Sequence, residues 1–519
     1  MKIIEKIKLH NFKRFQDFTV EFSPEINMLI GDNEAGKSSI LSAIDIVLSG
    51  SKSKIETIGL DSLFNMQTIQ DFLNSGKNYE NLPSLSIELY LNEQQNSDLN
   101  GKFNSNGTVC DGLQLICEPN DDLSIEIKDI LKQEEANFPY EFYSLNFRTF
   151  SGDNYTGYRK FLKHILIDNT QISNEYATRQ YVTSMYQSTV DNAEKNKHQN
   201  EYRKHKTNFK NSVLNDLNNR ISDYAFSIKT NSRSNLESDL TISENNIEIE
   251  NKGKGRQCFI KTEFALKKNE TDLDTILIEE PENHLSHINM KKLVQRIANS
   301  KQKQLFIATH NNLISTRLDL RKSILLNSNS QAPVLLKDLT EETAKFFMKA
   351  PDNNILEFIL SEKVILVEGD AEFILIDAFY YNEFNTTPED SNIHIISVGG
   401  TSFKRYLEIS KVLGIKTAVI RDNDKKYQVK CVENYTEYTD EKIKVFADKD
   451  NDRYTFEIAV YEDNKNLCAG LWSADRKTLS VQDYMLKNKA DVAFELLDKK
   501  SSEIKTPEYI KEALQWIKG

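Results

Sequence analysis

The stretch INMLIGDNEAGKSSILSAIDIVLSG, residues 26–50, predicts a strand, a loop and a helix in succession. Its first residues form a short apolar run, which is typical of a buried strand. A glycine-bounded loop follows. Apolar residues then recur at helical spacing before Gly50, at Ile40, Leu41, Ile44, Val47 and Leu48. The stretch therefore predicts the start of an α/β domain.

The loop GDNEAGKSS fits the pattern GxxxxGK[ST], and the strand and helix that flank it are the context this pattern requires. Its glycines allow backbone N–H groups to surround phosphate oxygens, Lys37 would neutralise the outer phosphates, and the Ser38 hydroxyl would reach a magnesium ion. The loop therefore predicts ATP or GTP binding. The predicted nucleotide site comprises Gly31, Asn33, Gly36, Lys37, Ser38 and Ser39.

Two later strand patterns end in polar residues suited to the same site. The segment LDTILIEEPENHLS, residues 273–286, ends its apolar run in Glu279 and Glu280. We interpret Glu279 as an acid associated with magnesium and Glu280 as a base that polarises water. The segment QLFIATHNN ends a further strand at His310. A lone histidine at a strand end is more often structural, but after a phosphate loop and a double acid we predict that it senses the γ-phosphate.

Size and composition narrow the class of protein. A chain of 519 residues is too long for one compact core, so we expect two or three domains. The net charge of −12 argues against a uniformly basic nucleic-acid binder, although a local basic groove is compatible with it. The sequence has no apolar run of membrane-spanning length and its first residues do not resemble a signal peptide, which favours the cytoplasm. The five scattered cysteines predict neither a disulfide framework nor a zinc site.

A second acidic pattern lies near the C-terminus, in VILVEGDAEF, residues 364–373. The aliphatic run predicts a strand covered on both faces, which would place Glu368 at its carboxyl end, where open α/β sheets hold their chemistry. A later segment, TAVIRDND, ends in Asp422 and Asp424. Residues i and i+2 converge only if the chain leaves the pleat there. These carboxylates would then surround magnesium or manganese, since both ions prefer oxygen ligands.

The order of phosphate loop, long insertion, LIEEPENHLS and FIATH resembles the ATP-binding-cassette heads of the SMC and RecF group, over about residues 1–345. In that group two heads sandwich ATP, and a signature loop of one head touches the nucleotide held by the other. The best candidate for that loop is NKGKGRQ, residues 251–257, which lacks the usual serine and second adjacent glycine. Glu279 also replaces the more usual aspartate. These departures favour nucleotide binding over fast hydrolysis.

The C-terminal pattern, with VEGDAE followed by VGGTSF and an Asp-x-Asp pair, resembles the Toprim domain over about residues 355–519. The resemblance implies a second acid in the first motif, matched by Glu372, together with a later carboxylate and a lysine, for which Glu457 and Lys489 are the candidates. Neighbouring residues remain alternatives for these last two roles: Asp452, Glu462 and Lys487. Two groups of acids could hold two metal ions for phosphodiester hydrolysis, with the lysine offsetting charge on the phosphorane.

An ATPase head followed by a Toprim domain in one chain resembles the OLD (overcoming lysogenization defect) family, and particularly the nuclease subunit of Gabija systems and the nucleases that accompany retron reverse transcriptases. The resemblance implies a homo-oligomer that nicks or cleaves DNA in antiviral defence, using ATP and Mg²⁺ or Mn²⁺, with a helicase or a reverse transcriptase as a possible partner. Proline and glycine become rare between about residues 156 and 240, which predicts an inserted helical dimerisation element there. We therefore expect an ATPase head at residues 1–155 and 241–350 and a Toprim nuclease domain at 351–519.

Basic residues suggest where nucleic acid would bind. The first group lies in the insertion and reads more often as the solvated face of a helix: Lys195, Lys197, Arg203, Lys204 and Lys206. The second group flanks the predicted metal site and is the better candidate for holding a phosphate strand: Lys404, Arg405, Lys425 and Lys426.

The sequence is also compatible with other functions. The chain could be an SMC-like or RecF-like DNA-binding ATPase, or a nucleic-acid sensor, without nuclease activity. The intact Glu368, Asp422 and Asp424 argue against a merely structural Toprim unit. A topoisomerase would need a nucleophilic tyrosine on a separate DNA-gripping domain, and a primase would need a zinc-binding module, and the sequence indicates neither.

Overall fold

The computed structural model describes residues 1–133, 135–172, 174–221, 224–229, 236–268, 273–300, 302–328, 330–350, 354–399, 402–472 and 479–519. The chain divides into two compact units. Unit 1 comprises residues 1–310 and 322–333, and unit 2 comprises residues 311–321 and 334–519. The expected α/β fold class is confirmed in both.

Unit 1 contains an antiparallel sheet, a parallel sheet and surrounding helices. Its strands are β1 (Ile4–Phe12), β2 (Phe15–Glu21), β3 (Ile26–Gly31), β4 (Leu85–Leu91), β5 (Asn100–Gly101), β6 (Cys110–Pro119), β7 (Tyr143–Thr149), β8 (His164–Asp168), β9 (Ser243–Glu244), β10 (Ile247–Glu248), β11 (Thr275–Glu279), β12 (Gln304–Ala308) and β13 (Ser323–Leu326). Its helices are α1 (Lys37–Ser49), α2 (Lys52–Ile58), α3 (Met66–Asn74), α4 (Ser124–Leu131), α5 (Glu175–Thr189), α6 (Asn192–Ser212), α7 (Asn215–Asn218), α8 (Leu236–Asp239), α9 (Lys254–Leu266) and α10 (His287–Ala298).

The parallel sheet of unit 1 has the order β13-β3-β12-β11-β8. Its strands β3 and β12 are buried along their whole length, as the continuous apolar runs in the sequence predict. Parallel pairing in register aligns the carboxyl ends of β8 and β11, with Asp168 opposite Glu279. The ends of these strands, together with that of β3, form the edge at which the phosphate loop lies.

The predicted insertion at 156–240 contains more than helices. Helices α5, α6, α7 and α8 lie within it, but so does β8, which pairs with β11 in the parallel sheet. The segment HILID is only five residues long, and its partner in the sheet lies more than a hundred residues away in sequence. The local sequence therefore does not show which sheet it joins. Helix α6, which carries the first basic group, has no buried residue.

Unit 2 contains a parallel sheet of order β16-β15-β17-β18, covered by helices. The strands of this sheet are β15 (Lys363–Val367), β16 (Ile393–Ser397), β17 (Lys416–Ile420) and β18 (Ile443–Phe446). Unit 2 also contains the short strand β14 (Val334–Leu335), which lies outside this sheet. Its helices are α11 (Asn312–Arg317), α12 (Glu341–Lys349), α13 (Ile355–Leu360), α14 (Asp370–Phe384), α15 (Phe403–Leu413), α16 (Phe456–Asp463), α17 (Lys465–Trp472), α18 (Val481–Lys487), α19 (Lys489–Lys500) and α20 (Glu508–Lys518). Helices α14, α16, α19 and α20 contribute to one continuous apolar core.

The helix that follows the phosphate loop, α1, contains a buried acidic residue, Asp45. Asp45 forms an ion pair with Lys54, and its Oδ1 lies 3.0 Å from Nε2 of His164 on β8. Burial alone would raise the pKa of Asp45, but Lys54 and His164 outweigh it and lower the pKa to about 2. The ion pair thus joins α1 to α2, and the contact with His164 joins α1 to β8.

We expect Asp45→Asn to lower the free energy of unfolding of unit 1 by about 2 kcal/mol at neutral pH, since one pKa unit corresponds to about 1.4 kcal/mol. Because the folded-state pKa is lowered, this stabilisation is present above pH 4 and is lost as the pH falls through about 2. The difference between wild type and variant in denaturant unfolding should thus shrink from pH 7 to pH 3. The exposed Asp129→Asn is the control, and an equal effect of both substitutions would contradict the role of Asp45.

Candidate functional site

The phosphate loop joins β3 to α1 and is shaped by two glycines. A Cβ at Gly31 would lie 2.2 Å from the carbonyl oxygen of Leu326, and Gly36 adopts φ 96°, which favours glycine. Lys37 donates to the backbone carbonyls of Gly31 and Asp32, at 2.6 and 2.8 Å. The Lys37 ammonium group thus lies across the loop, where it could exchange these carbonyls for phosphate oxygens.

The remaining loop residues lie along the same segment. Asn33 is exposed at the tip of the loop, and Ser39 is half-buried in the first turn of α1. The first turn of α1 contains no acidic residue, so its N-terminus can attract an anion.

Ser38 and Glu279 meet as the sequence predicts. The Ser38 hydroxyl donates to Oε1 of Glu279, which is the last residue of β11. Burial raises the pKa of Glu279, the Ser38 hydroxyl opposes this, and Asp168 and Glu280 add to the rise. A cavity of about 1050 Å³ opens beside Ser38 and Glu279 and is also lined by Asp168. These oxygens form a donor set of the kind that magnesium prefers.

Glu280 and His310 also come together, through a residue that sequence reasoning missed. His310 Nδ1 lies 3.9 Å from Oε1 of Glu280 and 3.6 Å from Oε1 of Glu282. The buried Glu282 accepts hydrogen bonds from the Thr309 hydroxyl at 2.7 Å and the His310 backbone N–H at 3.0 Å. Glu282 therefore fixes the strand end that carries His310. In the sequence, Glu282 is the third acid of the segment EEPE, and the sequence alone does not show whether this glutamate is buried or solvated.

The candidate signature loop precedes and enters α9. Gly253 caps α9, and a Cβ at Gly255 would lie 2.2 Å from the carbonyl oxygen of His284, so this glycine allows a close backbone approach. The Gln257 side chain donates to the backbone carbonyl of Lys252 at 2.8 Å, which holds the loop against the start of the helix.

In unit 2, the acidic residues follow two adjacent parallel strands. Glu368 comes directly after β15, and Asp422 and Asp424 follow β17, which pairs with β15. The chain leaves the pleat after Asp422, because Asp424 adopts φ 50°. Asp422 accepts a hydrogen bond from the Phe456 backbone N–H at 2.7 Å. The predicted departure from the pleat is therefore present.

The carboxyl groups of this site interact strongly. Burial is the largest cause that raises the pKa of Glu372 to about 7, and Glu457 and Glu368 add to it. Burial likewise raises the pKa of Asp422 to about 8, with contributions from Glu372, Glu457 and Glu368. Burial and the nearby Asp424 raise the pKa of Glu368. Glu368, Glu372, Asp422 and Glu457 therefore lie close enough for their negative charges to repel one another.

Glu457 and Lys489 form a pair at the starts of two helices. Lys489 Nζ lies 3.0 Å from Oε1 of the buried Glu457, and this contact outweighs partial burial to raise the pKa of Lys489. Of the alternatives, Glu462 pairs with Lys465, whereas Asp452 and Lys487 are exposed. Glu457 and Lys489 both interact electrostatically with Glu372, which supports this pair for the two predicted roles.

Arg421 is a second residue that sequence reasoning missed. It is buried at the end of β17, and its guanidinium group donates to the Tyr435 hydroxyl at 2.8 Å and to Oδ2 of Asp424 at 3.4 Å. It also interacts electrostatically with Glu368. In the sequence, an arginine before Asp422 has no pattern that distinguishes it from a surface residue.

The donor set suits a divalent cation once side chains adjust. Within the described ranges, no three His, Cys, Asp or Glu side chains are arranged so that they could hold a metal ion as they stand. However, Oε2 of Glu368 and Oε2 of Glu457 are buried without a hydrogen-bond partner. Buried carboxylate oxygens without partners are costly, and a bound cation would satisfy them.

Residues 1–314 match the family described as AAA ATPase domain. The chain belongs to that family. Residues 359–424 match the family described as Overcoming lysogenization defect protein-like, TOPRIM domain. This pair of domains confirms the resemblance to the OLD family and implies the use of a nucleotide and a divalent metal ion.

Curated relatives match parts of the chain. DNA replication and repair protein RecF of Limosilactobacillus reuteri is 37% identical over 92 residues, covering 18% of this chain and 24% of the relative. Endonuclease GajA of Bacillus cereus is 31% identical over 166 residues, covering 31% of this chain and 28% of the relative. The chain therefore spans about a quarter of the length of these curated relatives.

Solved structures that match parts of the chain include an Smc head bound to the C-terminal winged-helix domain of ScpA, with a TM-score of 0.35 and 14% identity over 64% of this chain and 97% of the other. The C-terminal region of the Xanthomonas campestris OLD protein has a TM-score of 0.23 and 22% identity, over 30% of this chain and 94% of the other.

Across the part of the chain that the structure covers, no helix has the length and apolarity needed to cross a membrane.

We expect Gly31→Ala to weaken ATP binding by about tenfold or more, because its Cβ would lie 2.2 Å from the Leu326 carbonyl oxygen and 2.9 Å from the Cβ of Ala35. Titration with a fluorescent ATP analogue measures the change. Gly470→Ala is the matched control, since a Cβ there meets nothing within 4 Å. Wild-type affinity in Gly31→Ala would contradict the role of this close approach.

Proposed function

We propose that this protein is an ATP-binding, divalent-metal-dependent DNA endonuclease. The observation that supports the proposal is the cluster of mutually interacting carboxyl groups in the TOPRIM domain, at Glu368, Glu372, Asp422 and Glu457, with Lys489 beside it. Strongly raised pKa values in a cluster of this kind are typical of sites that bind metals or transfer protons. The name of the relative GajA, an endonuclease, supports the same reaction class.

The acids divide into two groups by position. Glu368 and Glu372 belong to the first, at the end of β15 and the start of α14, and Asp422, Asp424 and Glu457 belong to the second. The two groups could hold two Mg²⁺ or Mn²⁺ ions, one of which would activate water while the other would stabilise the leaving oxygen. Lys489 is positioned to neutralise charge that develops on the phosphate, because its ammonium group reaches the acid cluster.

The head would hold ATP with magnesium. In this proposal Lys37 and the loop backbone bind the phosphates, Ser38 and Glu279 bind the magnesium ion, and Glu280 with His310 faces the γ-phosphate. Glu280 is suited to orient water because its Oε2 already accepts a hydrogen bond, at 2.6 Å from Asn283 Nδ2, which fixes the carboxylate. Binding of ATP would then regulate the TOPRIM site.

The wider assignments follow from the family resemblance. We propose a homo-oligomer assembled through the heads and the helical element within 156–240, acting in antiviral defence with a partner complex such as a helicase or a retron reverse transcriptase. The basic helix α6 offers little support for nucleic-acid binding through its lysines, because Lys195 pairs with Glu237 and Lys206 with Asp239.

A second candidate is a DNA-binding ATPase or sensor without nuclease activity. One observation favours it: cationic side chains already pair with the acids, Lys489 with Glu457 and both Arg421 and Lys430 with Asp424. If these pairs persisted on binding DNA, no metal would be held and no bond would be cut.

The deciding experiment incubates the purified protein with supercoiled plasmid in Mg²⁺ or Mn²⁺, with and without ATP. We expect nicking that EDTA abolishes and that Glu368→Gln reduces by about a hundredfold or more, as for other groups that act on the reacting atoms. The matched control is Glu441→Gln, an exposed glutamate of the same unit. Plasmid binding without any nicked product would favour the second candidate.

Lys37→Ala tests the head in the same assay, with the exposed Lys52→Ala as its control. We expect Lys37→Ala to abolish the dependence of nicking on ATP, whether ATP activates or inhibits nicking. The reason is that the ammonium group of Lys37 spans the loop that would hold the phosphates. An unchanged response to ATP in Lys37→Ala would contradict nucleotide control through this loop.

A further inference from the structure

A cavity of about 720 Å³ lies in unit 2 beside the acidic site, at the carboxyl end of β16. Val398 lines this cavity, and its backbone N–H donates at 3.0 Å to the carbonyl of Val367, the residue before Glu368. Because neighbouring strands lie about 4.8 Å apart, the cavity begins one strand away from the predicted catalytic acid.

The walls of the cavity combine apolar surfaces with a few polar groups. Phe346, Val398 and the ring of Tyr438 supply the apolar and aromatic part. Ser402, Lys404, Arg405 and Glu342 supply the polar part. A flat aromatic ligand with polar edges suits such a lining, and the volume is within the usual range for small-molecule sites.

The charges in the cavity lie at two different places. Arg405 donates to Glu342 and, at 3.1 Å, to the Thr343 hydroxyl, so its charge is largely compensated within the protein. Lys404 is exposed, and its Nζ lies 5.7 Å from the ring centroid of Tyr438 and 6.0 Å from that of Tyr435. A phosphate would therefore bind at Lys404 rather than near the Glu342 carboxylate, which can instead accept a hydrogen bond from an amino group.

A ring contact followed by two hydrogen bonds leads from Lys404, in the cavity wall, to the acidic site. The Tyr435 ring lies beneath Lys404, and its hydroxyl accepts from Arg421, which in turn donates to Asp424. Tyr435 and Arg421 are both buried, so this connection is held by packing. A ligand that contacts Lys404 therefore lies beside the buried Tyr435 and Arg421, which contact the acidic site.

We propose that this cavity binds one unpaired nucleotide of the DNA strand, next to the phosphate that is cut. The base stacks on Tyr438, its polar edge faces Arg405, Ser402 and Glu342, and its phosphate contacts Lys404. A paired base cannot enter, because its edge is occupied by its partner, so the substrate has an unpaired or displaced nucleotide beside the cut. The inference deepens the proposed endonuclease function and rests on it for the position of the cut.

Binding tests the pocket without any cleavage. Fluorescence anisotropy of a labelled single-stranded oligonucleotide with the full chain in EDTA should show that Tyr438→Ala binds about five- to a hundredfold more weakly, the range found when an aromatic platform is removed. Tyr438→Phe keeps the ring and should bind as wild type. Tyr381→Ala, an exposed tyrosine on α14 that does not line the cavity, should also bind as wild type. Equal affinity in all four proteins overturns the proposal.

Lys404→Gln gives a second readout that does not depend on Tyr438. If Lys404 holds a phosphate, the slope of log affinity against log salt should decrease by about one contact, and affinity should fall equally for all base sequences. Circular dichroism checks that each variant is folded. An unchanged salt slope overturns the assignment of the phosphate to Lys404.

Cleavage separates the pocket from the endonuclease proposal. With Mg²⁺, a duplex containing a one-nucleotide mismatch or flap should be cut faster than a fully paired duplex, and Tyr438→Ala should remove the preference. Equal rates on both substrates, unaffected by Tyr438→Ala, overturn the pocket but leave the endonuclease intact. Absence of cleavage on every substrate, combined with binding that depends on Tyr438, contradicts the endonuclease and supports the pocket.

Discussion

Parallel pairing of buried strands is the constraint on which both sites depend. In unit 1 the sheet aligns Asp168 with Glu279, and in unit 2 it places Glu368 and Asp422 at the ends of neighbouring strands. The strands are almost wholly apolar and buried, so their polar residues can lie only at the ends. The core of each unit therefore fixes the relative positions of its acids, and helices supply only the groups that complete each site.

Concentrating acids in this way opposes folding. The pKa of Asp422 rises to about 8 and that of Glu372 to about 7 because burial and like charges both disfavour ionisation. Two cations offset part of this repulsion, because Lys489 contacts Glu457 and Arg421 interacts with Glu368. A metal ion that bound the unpartnered oxygens of Glu368 and Glu457 would offset more of the repulsion, beside the oxygens that these cations already contact.

Sequence reasoning located the residues that belong to local patterns. The phosphate loop, Glu279 and Glu368 are each marked by an apolar run followed by a fixed arrangement of a few residues, so a single segment reveals them. It missed Asp168, Glu282 and Arg421, because their roles come from partners distant in sequence or in another element. The strand that ends in Asp168 was included in a helical insertion for the same reason: five residues carry too weak a period to show which sheet they join.

Glu282 and Arg421 share one physical role, which is to hold the segment that follows a strand. Glu282 accepts two hydrogen bonds from the segment that carries His310, and Arg421 donates to two side chains around the TOPRIM acids. Each is buried and charged, which is costly unless its partners are held in place. The cost makes these residues sensitive to the geometry of the strand ends, because a shift that broke their hydrogen bonds would leave a charge buried and unpaired. At both sites, buried hydrogen-bonded residues would thus oppose movement of the strand ends, whereas the side chains of His310 and Lys489 are more than half exposed.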